Sequence, residues 1–427
     1  MRAIIVGAGI VGIQSAHALL DQGWGVTLID PDGLATRTSR GNAGYIAHTD
    51  IQPLASPKVW RHLPRWLLDP LGPLSIRPSY ALAIAPWMIR FVAASTPGRI
   101  EASTQGMIAL NRMALGAWER RLGALGLTGR HLRRKGYMYM FPSPSALGAN
   151  MTSIRRQQSL GIEVDLLEDS AALRRLEPAF GPRAAAGAFY PGGVSVGDPA
   201  SICQAVGEAA IARGATLVRQ AVVEVSPIEA GVAARLDDGS VLAADAAVIA
   251  AGAWSRPLAK RLGDDVPLDT ERGYNVTLPP GSLGLTRPVL FDGLGFVTTP
   301  LDIGDRIGGA VEFGGLQAPP NYARIDAIIA RARPFLPDAK FEGGTRWMGF
   351  RPSLPDSLPV IDRATCSPHI VYAFGHSHYG LTQSAATGEL VAALITQRQT
   401  TINLTPFAAR RFLMPSWRKT LRPRAAS

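Results

Sequence analysis

The chain has 427 residues, enough for two connected domains, and 47% hydrophobic against 18% charged residues supports a large core and excludes a disordered polyelectrolyte. Its formal charge of +11 comes almost wholly from dispersed arginine, with lysine only at 58, 135, 260, 340 and 419, and no nucleic-acid-binding motif accompanies it, so nucleic acid is not an expected partner. Two cysteines, Cys203 and Cys366, exclude a disulfide framework and a cysteine-built metal site.

The first residues carry the strongest local signal. A β-branched run, Ile4-Ile5-Val6, feeds into Gly7-Ala8-Gly9-Ile10-Val11-Gly12, and a helical pattern follows. A second strand, Val26-Thr27-Leu28-Ile29, ends on Asp30, with Pro31 after it. Strand, glycine motif, helix and acid in this order predict a dinucleotide site. Gly7 makes the tight turn, Gly9 admits a pyrophosphate and Gly12 lets helix and strand pack closely. Asp30 is placed to accept hydrogen bonds from a ribose. NAD and FAD both satisfy this segment. The strand starts at Ala3, which leaves no room for a secretory leader. The longest apolar stretch, 80–89, contains Pro86 and is followed by Arg90, short of the roughly 18–20 residues of a spanning helix. A cytoplasmic location is therefore expected.

Further along, Ser39-Arg40-Gly41-Asn42-Ala43-Gly44-Tyr45 follows the second strand. Residues 107–122 are helical in pattern and 136–141 strand-like. Asp198 is a natural N-cap, Pro199 suits a first helical turn, and 200–212 continues as helix. Strands are predicted at 216–219, 222–225 and 246–250, the last running into Gly252. Others follow at 274–278, 295–299 and 306–313, with a turn at 302–305. Arg351 precedes Pro352, which biases it toward extended backbone, and a guanidinium held there can clamp a carboxylate through two parallel hydrogen bonds. A strand at 370–374 opens into Gly375-His376-Ser377-His378-Tyr379-Gly380-Leu381-Thr382, where glycines allow close approach and a helix directs amides at an electron-rich group. His376 and His378 lack a neighbouring carboxylate or third histidine in sequence, so no metal is expected.

Together these segments resemble the D-amino-acid oxidase (DAO) family of FAD enzymes, nearest its bacterial D-amino-acid dehydrogenase branch, over about residues 1–412. The resemblance rests on Asn42-Ala43-Gly44, on Phe350-Arg351-Pro352 through Pro355-Asp356, and on the Gly375–Gly380 loop. It departs from that branch at His378 and Tyr379, where small or apolar residues are usual. The fold implied is α/β. A discontinuous Rossmann-like FAD-binding domain spans 1–55, 194–265 and 345–412, and an α+β antiparallel-sheet substrate domain spans 56–193 and 266–344. FAD is the implied cofactor, held by Gly7, Gly9, Ile10, Val11, Gly12, Asp30, Pro31, Ser39, Arg40, Asn42, Ala43, Gly44, Val223, Gly252, Gly375, Gly380, Leu381 and Thr382. Some relatives attach flavin through a cysteine just before the Pro-Asp pair. Residues 349–356 contain none, so noncovalent FAD is expected.

The activity implied is oxidative deamination of a D-amino acid to a 2-oxo acid and ammonia, by hydride transfer to flavin N5. Arg351 would hold the substrate carboxylate, with His378, Tyr379, Phe296 and Tyr274 as pocket walls. No acid–base pair stands out in the sequence, and none is required if the neutral amine binds. The same motifs serve a glycine- or sarcosine-type amine oxidase and a D-proline or hydroxyproline dehydrogenase. A reading of another class is a flavin-bearing subunit inactive without partner proteins. A quinone or other acceptor is expected to take the electrons. The end of the chain, 413–427, carries Arg418, Lys419, Arg422 and Arg424 with Trp417 and no acid, the composition of a peripheral membrane contact.

Overall fold

The computed structural model of the protein describes residues 1–55 and 69–412. Arg2–Val6 lies inside a six-stranded sheet ordered Thr216–Val218, Gly25–Ile29, Arg2–Val6, Ala246–Ile249, Ser367–Phe374, Val360–Ala364. Every pairing is parallel except the last. The alternation in the first strand explains its position: Ala3 and Ile5 face one core and Ile4 and Val6 another. A strand buried on both faces has no polar side, which is why it reads as a continuous apolar run. Each fully buried aliphatic side chain contributes about 1.5–3 kcal/mol.

Helices Ile10–Leu20, Gly380–Ile395, Pro199–Ala212 and Pro97–Ala124 contribute to the first core. The second is shared with the antiparallel strands Val222–Ile228, Gly231–Leu236 and Val241–Ala244. Asp198 caps its helix as the sequence predicts, accepting from the Ser201 amide at 2.9 Å. Gly388 lets Gly380–Ile395 lie directly on Ile10–Leu20, since a Cβ there would fall 2.5 Å from the Gln14 carbonyl oxygen. That contact orients the amino end of the later helix.

The second large sheet has nine strands among the described residues. Its path runs Thr345–Ser353, Asp269–Leu278, Gly304–Phe313, Phe296–Leu301, Val289–Phe291, Tyr137–Phe141, Ala186–Tyr190, Asp165–Leu167, and Leu74–Ile76 pairs with Gly304–Phe313. The sequence reading expects an antiparallel sheet; the observed sheet is mixed. Val289–Phe291 runs parallel to Tyr137–Phe141, and Leu74–Ile76 parallel to Gly304–Phe313. These partners are far apart in sequence, and period-two patterning records burial, not the direction of a distant neighbour. Residues 345–353, grouped with the FAD-binding pieces in the sequence reading, form an edge strand of this sheet, with Arg351 opposite Glu271. A small sheet of Tyr45–Ile46, Val194–Val196 and Leu132–Arg133 links segments of both regions. Among the described residues no helix is long and apolar enough to cross a membrane.

Candidate active site

A cavity of about 610 Å³ is lined from both large sheets. At one end stand Gly7, Gly9, Ile10, Val11, Asp30 and Pro31, with Val223 and Gly252 close by in the same lining. Gly7 has φ +104°, and a Cβ on it would lie 2.5 Å from the Ala250 carbonyl oxygen, so neither backbone nor space admits a side chain. Gly12 stays behind the surface; a Cβ there would sit 2.0 Å from the Gly7 carbonyl oxygen. It therefore acts by letting the helix close on the turn. Asp30 accepts the Ala8 amide at 2.9 Å through Oδ2 and the Asp32 amide at 3.0 Å through Oδ1, which leaves each oxygen a lone pair for a ribose hydroxyl. The Ser39 hydroxyl accepts the Ile10 amide at 3.1 Å and pins the loop after the second strand over the helix start.

Ser39, Asn42 and Ala43 also line the cavity, as do Gly375 and, at the start of Gly380–Ile395, Gly380 and Leu381. The Val223 carbonyl accepts from Arg261 Nη1 at 2.6 Å. The residues present fit FAD: a glycine turn without room for Cβ, an acid with spare acceptor capacity, and a helix amino end in the lining. No cysteine lines the cavity.

The other end is built around Arg351. Its Nη1 donates to the Ala310 carbonyl at 2.9 Å, and a Cβ on Gly273 would lie 2.2 Å from Nη2, so Gly273 is the floor on which the guanidinium rests. Among the described residues that is its one hydrogen bond, leaving several N–H groups for a planar anion. Burial pushes the Arg351 pKa down, while nearby Glu271 opposes the shift. Ala310 has φ +55° at the bulge where Gly304–Phe313 slips against Asp269–Leu278. Ser377, beside His378, has φ +47°. Such conformations cost on the order of 1–3 kcal/mol each and persist where surrounding packing holds them. Here one aims a carbonyl at Arg351 and the other shapes the His378 loop.

His378 and Tyr274 also line the cavity. His378 Nε2 lies 3.3 Å from Glu271 Oε2, yet Oε2 forms no aligned hydrogen bond. Enclosure by the cavity wall, then the Arg351 charge, push the His378 pKa down, although its side chain keeps 36% of its surface exposed. Burial raises the Glu271 pKa. Glu271, Arg351 and His378 thus form a titratable cluster that sequence spacing does not reveal, because Glu271 reaches it only by cross-strand register.

Several expected site residues stand elsewhere or have their polar groups engaged outside the cavity. Phe296 is absent from the lining; it is 5% exposed and stacks on Phe291 at 4.4 Å, because its strand position faces the sheet core. The Tyr274 hydroxyl donates to Glu312 Oε2 at 2.6 Å and is committed to a buried network with Arg77 and Arg272. Tyr379 is off the lining and faces Asp50. The Arg40 side chain is exposed, and Gly44 and Thr382 lie outside the lining. Thr382 instead accepts the Ala47 amide at 2.9 Å.

Other residues enter without a sequence signal. Arg306, far along the chain, donates to the Asn42 carbonyl at 2.6 Å, and burial pushes its pKa down to about 10. Trp347 packs on Gly41 and Gly349, where a Cβ would come within 2.2 and 2.0 Å of its ring. Arg37 lies 4.2 Å over the Trp254 ring. Only contact geometry identifies these three.

Residues 2–394 match the DAO family, described as FAD-dependent oxidoreductases. Over 417 residues the chain is 36% identical to a D-amino-acid oxidase of Bradyrhizobium diazoefficiens, covering 96% of this chain and 98% of that one. It is 29% identical to a D-amino acid dehydrogenase of Allorhizobium ampelinum over 96% and 99%. The fold is similar to that of glycine oxidase from Geobacillus kaustophilus, with TM-score 0.77 at 20% identity over 97% and 100% of the chains. It is also similar to L-proline dehydrogenase from P. horikoshii, with TM-score 0.75 at 18% identity over 99% of each. A cavity shaped for a flavin dinucleotide and a family match over most of the chain lead to one conclusion: this protein belongs to the DAO family of FAD-dependent oxidoreductases.

Proposed function

We propose that the protein oxidises a D-amino acid to its imino acid, which water then hydrolyses to a 2-oxo acid and ammonia. The observation that carries this reading is Arg351, a guanidinium with free donors in the wall of the FAD-shaped cavity. The names of the relatives, D-amino-acid oxidase and D-amino acid dehydrogenase, support the substrate class. FAD, when bound, supplies the acceptor for the hydride that leaves Cα. Arg351 binds the α-carboxylate and so orients Cα. His378 stands in the same wall, 3.3 Å from Glu271, where enclosure and the Arg351 charge disfavour its protonation. Glu271 balances Arg351 from beneath. The amino end of Gly380–Ile395, whose Gly380 and Leu381 line the cavity, would offer a favourable dipole to an electron-rich part of FAD.

Anaerobic titration of the purified yellow protein with D- and L-amino acids, glycine, sarcosine and prolines tests this directly. D-amino acids should bleach the flavin band. A response confined to glycine and sarcosine, or to cyclic secondary amines, would replace the reading, and silence until partner chains are added would make the chain a subunit. Denaturation should release unmodified FAD, whereas flavin left on the precipitated polypeptide would disprove noncovalent binding. Electron transfer to a quinone or dye is proposed over oxygen, following the dehydrogenase relatives; rapid stoichiometric peroxide in air would make the protein an oxidase. The basic segment 413–427 lies outside the described residues. Its role in meeting a membrane acceptor is tested by vesicle binding with and without it.

A further inference from the structure

Beside the cavity stands a carboxylate with no ion-pair partner among the described residues. Asp50 is enclosed by protein yet keeps some accessible surface, as do Tyr45, Tyr139 and Tyr379 around it. The Tyr139 hydroxyl is 3.4 Å from Oδ1 and the Tyr379 hydroxyl 3.5 Å from Oδ2, both long for hydrogen bonds. Among the described residues no lysine, arginine or histidine forms an ion pair with it. Tyr137, which also bonds to Thr49, is a third phenol at the carboxylate, and Tyr190 donates to Gln157 Oε1 at 2.8 Å. Tyr137 stacks on Tyr190 at 4.8 Å, and Tyr45 packs 5.7 Å from Tyr137. Backbone fixes Asp50 in place, its carbonyl accepting from Asn111 Nδ2 at 2.7 Å.

Such surroundings favour either a protonated Asp50 or a cation beside it, and burial, opposed by the tyrosine hydroxyls, raises its pKa to about 7. Tyrosine faces favour the same cation. Asp50 stands behind the cavity lining, and Tyr45 connects the two: it lines the cavity and lies within the electrostatic reach of both Arg351 and Asp50. We propose that Asp50 receives the cationic end of the substrate side chain, an ammonium or guanidinium, while Arg351 holds the α-carboxylate. The proposal rests on the D-amino-acid reading above and narrows it to basic D-amino acids.

The test compares near-isosteric pairs, D-lysine with D-norleucine and D-arginine with D-citrulline, by kcat/KM and by anaerobic flavin reduction. The native protein should prefer the cationic member by about tenfold or more, the scale of one charge-assisted hydrogen bond. Asp50→Asn should lower the D-lysine value far more than the D-norleucine value, bringing the ratio toward one with flavin content retained. A native ratio near one overturns the proposal, as does an equal loss for both members in Asp50→Asn, which is what a purely structural Asp50 would give. If the variant does not fold, the native ratios decide. Oxidation of D-norleucine as fast as D-lysine would sink the Asp50 assignment alone, whereas failure of every D-amino acid to reduce the flavin would sink the substrate reading beneath it.

Discussion

Arg351 concentrates the chemistry of the substrate end. Truncating one partner of a buried charge pair costs roughly 2–5 kcal/mol, so Arg351→Ala should lower kcat/KM by about thirty- to several-thousand-fold. Arg351→Lys should recover only part, because a point charge lacks the planar fork. Both should keep FAD, whose expected contacts lie around Gly7, Gly9 and Asp30. Steady-state kinetics with flavin content checks this; loss of flavin from a folded Arg351→Ala, or native efficiency, would contradict the anchor. Gly273 provides an independent probe. An added methyl would meet Nη2 at 2.2 Å, so Gly273→Ala should displace the guanidinium and lower kcat/KM by about tenfold or more with flavin retained. Unchanged kinetics in that variant would show that the arginine does not need this floor.

At the scale of elements, the strand–turn–helix of residues 2–20 is over-determined. Gly7 combines a positive φ with a carbonyl oxygen 2.5 Å from any added Cβ, and the clash is with backbone, which cannot step aside cheaply. Gly7→Ala should therefore yield protein largely free of FAD, measured as the ratio of flavin to protein absorbance, with far-UV circular dichroism near native. Full flavin occupancy would show that the turn is not part of the dinucleotide cradle. The motif was legible in sequence because each glycine acts within its own turn. Arg306 and Glu271 were not, because each reaches the site through pairing with a strand remote in sequence.

The whole molecule carries buried neutral histidines whose titration opposes folding. Burial chiefly pushes His17 down to about 4 and His376 down to about 3. His17 lies 2.7 Å from the Val206 carbonyl and accepts at Nδ1 from Arg213, so protonation would set it against a cation. The unfolded chain binds these protons below about pH 6.5, and the folded chain only near pH 4 or lower. Stability from each neutral histidine is thus complete above about pH 6.5 and lost on acidification, at roughly 1.4 kcal/mol per pH unit. The advantage in Tm of the native protein over His17→Gln should shrink between pH 6.5 and pH 4. A constant difference would show that His17 does not titrate in this window.

Local chemistry in the sequence determined the dinucleotide turn, the Asp198 cap, the apolar strands of the parallel sheet and an arginine held extended before Pro352. Each depends on a residue and its near neighbours, through glycine φ, capping geometry or side-chain period. Tertiary structure decided the mixed direction of the nine-stranded sheet, the withdrawal of Phe296 into the core and the commitment of the Tyr274 hydroxyl to Glu312. It also brought Glu271 beneath Arg351 and gathered Asp50 with tyrosines from four segments. A strand aromatic has two faces, and sequence patterning cannot say which one meets a cavity. That depends on how the assembled sheet packs against elements from other parts of the chain.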